Sequence, residues 1–157
     1  MSIEKVKAYL QNMNCPKPIL EFETSSATVD LAAQAAGVIP ARICKTLCLL
    51  SKDGPVVIAI AGDAKIDNRK FKNIFGIKAK MLSPEETLQA TGHAIGGVCP
   101  FALPEGTKAF ADVSMQRFET VFPAAGSSNS AVELTCEELF HYGNCMAWVD
   151  VCKGWEE

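Results

Sequence analysis

Two apolar runs on either side of a turn sequence constrain the fold of this chain more than any other feature. Cys44 to Leu50 and Val56 to Ala61 are rich in residues that favour β-strands. The five residues between them, Ser-Lys-Asp-Gly-Pro, are typical of a turn. Continuous apolar runs of this length indicate strands that are covered on both faces. The sequence therefore predicts a β-hairpin of buried strands.

Shorter patterns around the hairpin predict helices and further strands. Apolar residues recur at helical spacing from Ile3 to Met13, and again from Val29 to Ala36 behind Ser26. Capping boxes begin two more helices at Ser83 and Thr135. We also expect a helix over Asp67 to Phe75, and strands over Ile19 to Glu23, Ile77 to Leu82, Lys108 to Asp112, Glu119 to Ala124, Ala131 to Leu134 and Met146 to Val151. These elements fit an α+β fold with a mixed, partly barrel-like β-sheet and short surrounding helices.

Length and composition favour a single domain over residues 1–157. The chain is 48% hydrophobic and 21% charged, which is enough apolar material to bury a sizeable core. No apolar stretch approaches the ~20 residues of a membrane-spanning helix, and no signal pattern begins the chain. We therefore expect a soluble, cytoplasmic protein with no membrane partner.

Seven cysteines are spread along the chain without a Cys-x-x-Cys pair. Their odd number argues against a disulfide framework, and with only two histidines a zinc cluster would need unrelated segments to converge. We expect no metal and no cofactor, and interpret most thiols as small core residues. A thiol-based redox or regulatory protein is an alternative, which an unusually acidic Cys44, Cys48 or Cys99 would support.

Positive charge is concentrated in residues 65–80, which carry a net +5 while the rest of the chain carries −8. Such a patch suits a phosphate backbone, because neutralised phosphates release their counterions. A solvated helix face that happens to be basic is the plain alternative. The residues that we predict to contact nucleic acid are Lys65, Arg69, Lys70 and Lys72.

Polar or glycine-rich residues interrupt the apolar pattern at three places. Lys45 begins an apolar strand, where a buried charge is costly unless a polar or anionic group meets it; a lysine that reaches solvent from a strand end explains it equally well. The loop Gly96 to Pro100 either makes a tight turn or lets a substrate approach backbone N–H groups. Gly126 to Ser130 is either a hairpin turn or part of a pocket rim.

The motifs of nucleotide hydrolases, dinucleotide oxidoreductases, zinc proteases and α/β-hydrolases are absent from the sequence. Five other segments are present: Lys-Thr-Leu at 45–47, Val-Ile-Ala-Ile-Ala-Gly-Asp at 57–63, Gly-Gly-Val-Cys-Pro-Phe at 96–101, Phe-Ala-Asp at 110–112 and Ala-Ala-Gly at 124–126. Together they resemble the YbaK and prolyl-tRNA synthetase-associated editing-domain family, over about residues 20 to 150. The resemblance implies a free-standing hydrolase that removes the wrong amino acid from mischarged tRNA, most often tRNA for proline.

The same resemblance implies roles for individual residues. Lys45 matches the signature lysine, which is thought to hold the aminoacyl end of the tRNA. Gly96 and Pro100 match a G-x-x-x-P loop whose backbone lines the carbonyl pocket. The attacking group is then a water, or a hydroxyl or thiol of the substrate, rather than a protein nucleophile. Cys44 and Cys99 flank these motifs, but the sequence shows no obvious histidine neighbour that would activate either thiol.

Two departures from the family pattern leave the substrate open. After Gly126 the YbaK branch tends to have Arg-Gly, whereas this chain has Ser-Ser-Asn, and Thr46 stands where alanine-specific members have asparagine. We name Thr46, Ser128 and Asn129 as candidates for selecting among alanine, serine, threonine and cysteine esters. The other predicted substrate-binding residues are Gly96, Gly97, Pro100 and Gly126.

A non-catalytic module that binds acylated tRNA or a synthetase without turnover is the second functional class. Such a module would keep the basic segment 65–80 and could tolerate loss of Lys45. His93 and His141 fall in none of the matched motifs, and we interpret them as structural or surface groups.

Overall fold

The structure is a computed structural model that describes residues 2–155. It combines short helices with many short strands. The five helices among these residues are α1 (Ser2–Asn12), α2 (Val29–Ala36), α3 (Asn68–Phe75), α4 (Pro84–Thr91) and α5 (Cys136–Tyr142). The strands are β1 (Ile19–Glu21), β2 (Ile43–Ser51), β3 (Gly54–Ala61), β4 (Lys65–Ile66), β5 (Lys108–Asp112), β6 (Thr120–Pro123), β7 (Ser130–Val132), β8 (Leu134–Thr135), β9 (Cys145–Val149) and β10 (Cys152–Lys153). Two 3₁₀ helices span Pro40–Arg42 and Val113–Arg117.

Six strands form one curled, half-barrel sheet in the order β8-β6-β2-β3-β5-β9. β2 and β3 are the predicted hairpin, antiparallel from Cys44 opposite Ala61 to Ser51 opposite Gly54. β2 pairs in parallel with β6, β3 with β5, and β5 with β9, so the sheet is mixed. The predicted α+β fold with a mixed, partly barrel-like sheet is therefore confirmed.

Two local predictions are wrong. α2 begins behind Thr28, the N-cap whose side chain accepts from Leu31 N, rather than directly behind Ser26. Ser26 lies too far from the first turn and instead donates its hydroxyl to Ser128 O at 3.2 Å. The segment Ile77 to Leu82 is not a strand, because it runs beside β2 over only a few residues and makes a single isolated bridge there.

Pairing between distant segments determines where the shortest strands form. The single strand predicted over Ala131 to Leu134 is two strands, β7 and β8, because β7 pairs with β1 while β8 pairs with β6. β4 and β10 pair with each other, with Cys152 opposite Ile66, and no local pattern indicated either strand. These two-residue strands bring residues 152–153 next to the start of the basic segment 65–80.

Two hydrophobic clusters lie on the sheet. The larger surrounds the hairpin and includes fully buried Ile58, Phe71 and Phe101. The smaller packs Ala32 and Ala33 of α2 against the first residue of β2 and against β6 and β7. No helix within residues 2–155 is long and apolar enough to cross a membrane. The smaller cluster forms the floor of the site described next.

Candidate active site

A cavity of about 340 Å³ opens between α2, the first half of β2 and the loop that follows α4. Its walls are mostly apolar, with Val29 and Ala32 from α2 and Phe122 and Ala131 from the neighbouring strands. α2 is held in this position because Ala32 and Ala33 pack against the residues of β2, β6 and β7 in the smaller hydrophobic cluster. This apolar wall was not predicted, since its only local signal in the sequence is the apolar face of α2.

Three predicted site residues meet in this cavity. Lys45 and Thr46 contribute adjacent positions of β2, and Gly96 contributes the opposite side. Exposed Ser128 lies beside Gly96, since a Cβ built on that glycine would be 3.5 Å from the Ser128 Cβ. The structure therefore brings together a cation, a strand edge and a glycine loop.

Gly97 and Gly126 hold the loops together rather than line the cavity. A Cβ on Gly97 would lie 2.8 Å from both the carbonyl carbon of Gly126 and the nitrogen of Ser127. A Cβ on Gly126, which has a φ of 95°, would lie 2.9 Å from the backbone of Ser2. Both positions allow a close approach of backbone to backbone that any side chain would prevent.

Pro100 and Asn129 also lie outside the cavity lining. Pro100 borders a separate cavity of about 260 Å³ beside Tyr9 and Gly143. The Asn129 side-chain amide donates to Phe22 O at 3.0 Å and so fastens the loop to the segment after β1. Contact of either residue with a substrate stays a prediction.

Lys45 is half-buried, and its charge is only partly compensated. Burial lowers the pKa of Lys45, nearby Lys65 acts in the same direction, and Asp63 opposes both. Asp63 is itself engaged by Arg117, with 2.6 Å between the guanidinium and the carboxylate. A cation in this position is better satisfied by an anionic ligand than by its protein neighbours.

The predicted nucleic-acid contacts divide into exposed and engaged groups. Lys65 on β4 and Arg69 and Lys72 around α3 are exposed. Lys70 is half-buried, and its ammonium donates to Asp150 at 3.1 Å and to the Cys152 carbonyl at 3.0 Å. Lys65 is close enough to Lys45 to affect its pKa, so the basic patch continues toward the cavity.

The cysteines near the site are not activated nucleophiles. Burial raises the pKa of Cys44, that of Cys48 to about 11 and that of Cys99 to about 12. A thiol with so high a pKa is protonated at neutral pH, which argues against thiol chemistry at the site. No group of three or more His, Cys, Asp or Glu suited to a metal ion occurs within the described chain.

The prediction that Cys99 has no histidine neighbour is wrong. The turn after His93 brings the two together, with Cys99 Sγ 3.5 Å from His93 Nε2. That nitrogen donates to Phe101 O at 2.8 Å, and Nδ1 bonds the Ser2 hydroxyl. Because Nε2 already carries a proton that it donates to the Phe101 carbonyl, this nitrogen cannot accept the Cys99 proton. His93 is a buried structural group, whereas His141 is exposed.

His93 predicts a loss of stability in mild acid. Burial lowers the pKa of His93 below its ordinary 6.5, so the unfolded state binds the proton more tightly. Stability is therefore fully present above about pH 6.5 and declines as pH falls toward the folded-state pKa. We expect thermal melts from pH 7.5 to 5 to show a smaller decline for His93→Gln than for wild type. The exposed-residue variant His141→Gln serves as control, and parallel curves for all three proteins would contradict the prediction.

The comparisons with known proteins agree on one family. The sequence profile described as the aminoacyl-tRNA editing domain matches residues 23–142. The uncharacterized protein YwhH of Bacillus subtilis is 51% identical over 157 residues, covering 99% of this chain and all of YwhH. EbsC of Enterococcus faecalis, assigned as a Cys-tRNA(Pro)/Cys-tRNA(Cys) deacylase, is 27% identical and covers 81% of each chain. A solved structure assigned as a trans-editing enzyme for prolyl-tRNA synthetase is 26% identical, with a TM-score of 0.88 and 98% coverage of both chains.

Proposed function

We propose that this chain, which belongs to the aminoacyl-tRNA editing domain family, hydrolyses the ester bond of mischarged tRNA as a trans-editing deacylase. The observation that carries the proposal is the cavity in which Lys45, Thr46 and Gly96 meet between apolar walls. The assignments of EbsC and of the trans-editing enzyme with the same fold point in the same direction.

The proposed reaction needs no protein nucleophile. A water attacks the carbonyl carbon of the aminoacyl ester, the bond from that carbon to the ribose oxygen breaks, and the products are free amino acid and uncharged tRNA. The positive charge of Lys45 favours the negative charge that develops on the attacked carbonyl, or holds the adjacent phosphate. Because burial raises the pKa values of Cys44 and Cys99, both thiols are protonated, and attack by water is favoured over a thioester intermediate.

We further propose that the substrate is tRNA for proline carrying a small amino acid. A cavity of about 340 Å³ must receive the terminal ribose as well as the aminoacyl group, which limits the space for a side chain. The exposed basic residues Lys65, Arg69 and Lys72, together with Lys70, would meet phosphates near the acceptor end. Prolyl-tRNA synthetase is the protein partner that the related trans-editing enzyme suggests.

A panel of charged tRNAs tests the proposal. Wild-type protein is mixed with tRNA for proline carrying alanine, serine, threonine or cysteine, with Pro-tRNA as control, and ester loss is followed against a protein-free blank. We expect at least one small amino acid to be released at least about 10-fold faster than proline, the scale that a shaped pocket provides. If well-folded protein hydrolyses none of them, the deacylase proposal fails for this tRNA. Binding of tRNA or of prolyl-tRNA synthetase without turnover would then favour the non-catalytic module.

A further inference from the structure

The outer edge of β2 is covered at both ends but open in the middle. β6 pairs with β2 only as far as Cys44. Further along, the segment Ile77 to Leu82 lies against β2 and makes two backbone hydrogen bonds of 3.1 Å, one to Cys48 and one to Leu50. Thr46 lies between these two covered stretches, and it lies at the wall of the cavity.

The alternation of hydrogen-bond directions along β2, here called its phase, determines which backbone groups Thr46 presents at this edge. In an antiparallel pair, every second residue directs both its N–H and its C=O away from the partner strand. The carbonyl of Cys48 and the N–H of Leu50 bond outward, away from β3. Pro55 lies opposite Leu50 and has no N–H, which fits the same phase. Thr46 is in phase with them, so its N–H and C=O point toward the cavity, where neither has a backbone partner among residues 2–155.

The side chain of Thr46 adds a third polar group at this point. Its hydroxyl oxygen is buried and has no hydrogen-bond partner within the described part of the chain. The hydroxyl lies near the Cys44 thiol and lowers its pKa, against the larger effect of burial, but it makes no hydrogen bond to a described residue. Buried polar groups are normally satisfied, so this unpartnered hydroxyl, next to an N–H and a C=O that face the cavity, indicates a ligand that satisfies all three.

We propose that the aminoacyl group of the substrate binds to Thr46 as a strand of one residue. The inference rests on the proposed deacylase function and names how that site recognises its substrate. An α-amino ester carries a donor and a carbonyl acceptor in the same arrangement as a peptide residue. Its ammonium donates to the Thr46 carbonyl while its ester carbonyl accepts from the Thr46 N–H, as in a hydrogen-bonded antiparallel pair.

This pairing also selects the side chain of the substrate. Residues directly opposite each other in a pair place their side chains on the same face, within contact distance. The side chain of an L-aminoacyl group therefore meets the unpartnered Thr46 hydroxyl. A hydroxyl or thiol satisfies that group, whereas a methyl leaves it without a partner. The substrate class is accordingly small amino acids with a hydroxyl or thiol side chain, with serine and cysteine before alanine.

The first experiment removes the substrate donor. tRNA for proline is acylated with serine or with 3-hydroxypropionate, which is serine without its amino group. Each enzymatic rate is divided by the uncatalysed rate in the same buffer, because the ammonium itself activates the ester. We expect the amino-free ester to lose at least about 10-fold in this normalised kcat/KM, the scale of one buried hydrogen bond to a charged group. Equal normalised values would overturn the pairing.

The second experiment changes the Thr46 side chain and keeps its backbone. Thr46→Val removes the hydroxyl with nearly the same shape, and we expect the serine-to-alanine ratio of kcat/KM to fall about 10-fold while alanine release is retained. Thr107→Val, which loses a threonine hydroxyl that donates to Ala90 O outside the lining of this cavity, should leave the ratio unchanged. An unchanged ratio in Thr46→Val would overturn the assignment of side-chain selection to this residue.

A binding measurement separates failure of the inference from failure of the proposed function. A non-hydrolysable seryl-amide of 3′-amino-3′-deoxyadenosine is titrated into isotopically labelled protein, and the backbone amide of Thr46 is followed by NMR. A shift at Thr46 that is absent with the amino-free analogue supports the pairing even if no ester is hydrolysed. Hydrolysis of seryl-tRNA without any shift at Thr46 would leave the deacylase standing and overturn the pairing.

Discussion

The Lys45→Ala variant is expected to lose about 100-fold or more in kcat/KM for ester hydrolysis, the range measured when a charge-stabilising group is removed from an active site. Lys45 is half-buried at the cavity. Asp63, whose negative charge raises the pKa of Lys45, is engaged by Arg117. The charge of Lys45 is therefore available to a ligand. Side chains of neighbouring residues in a strand project to opposite faces. The side chains of Lys45 and Thr46 therefore reach a group bound at the open edge from two sides.

Matched variants separate the charge of Lys45 from its packing. Lys45→Met keeps the apolar stem and should be nearly as inactive as Lys45→Ala, whereas Lys45→Arg should retain part of the activity. Lys108→Ala is the control, because Lys108 is also a lysine at the start of a sheet strand but is exposed and outside the cavity lining. Circular dichroism and melting temperature must match wild type. Full activity in a well-folded Lys45→Met protein would refute a role for the charge.

Elements with local signals were predicted closely. The hairpin follows from two apolar runs and a turn sequence, and α4 begins at a capping box in which Ser83 and Glu86 satisfy each other's backbone N–H groups. Gly76 and Gly92 end α3 and α4 with φ angles of 87° and 77°, as glycine after a helix predicts. These features depend on residues that are close together in the chain.

Features that depend on distant pairing could not be predicted. The open edge at Thr46 exists because β6, more than 70 residues further along the chain, leaves β2 after Cys44. The split into β7 and β8 depends on β1, and the β4–β10 pair joins residues 65–66 to 152–153. The family resemblance named Lys45 and Gly96 as site residues, but the cavity wall that α2 forms beside them was not predicted.

Asp112 explains the Phe-Ala-Asp segment, which sequence reasoning noted without a role. Its carboxylate is fully buried at the end of β5. One oxygen accepts from Ser114 N and the other from Val151 N, both at 2.9 Å. The Val151 carbonyl in turn accepts from Asp67 N, the cap of α3, at 2.8 Å. Asp112 therefore fastens Val151, and through it the start of α3, to the sheet.

We expect Asp112→Ala to lower the free energy of unfolding by about 2–5 kcal/mol, because two buried N–H groups lose their acceptor and each costs about 1–3 kcal/mol. For a domain of this size the melting temperature should fall by about 5–15 °C. Asp150→Ala is the matched control: its carboxylate, 56% exposed, pairs with Lys70 at the surface, and its loss should cost less than about 1 kcal/mol.

The same variant connects stability to the site. β4 lies near Lys45, since Lys65 affects its pKa, and β10 pairs with β4 and directly follows Val151. If Asp112 holds this corner, Asp112→Ala should speed amide hydrogen exchange first in residues 65–67 and 151–153, before the hairpin opens. Exchange that rises equally across β2 and β3 would show that the carboxylate stabilises the whole sheet and not this corner. An Asp112→Ala melting curve that overlays that of Asp150→Ala would contradict the anchoring role altogether.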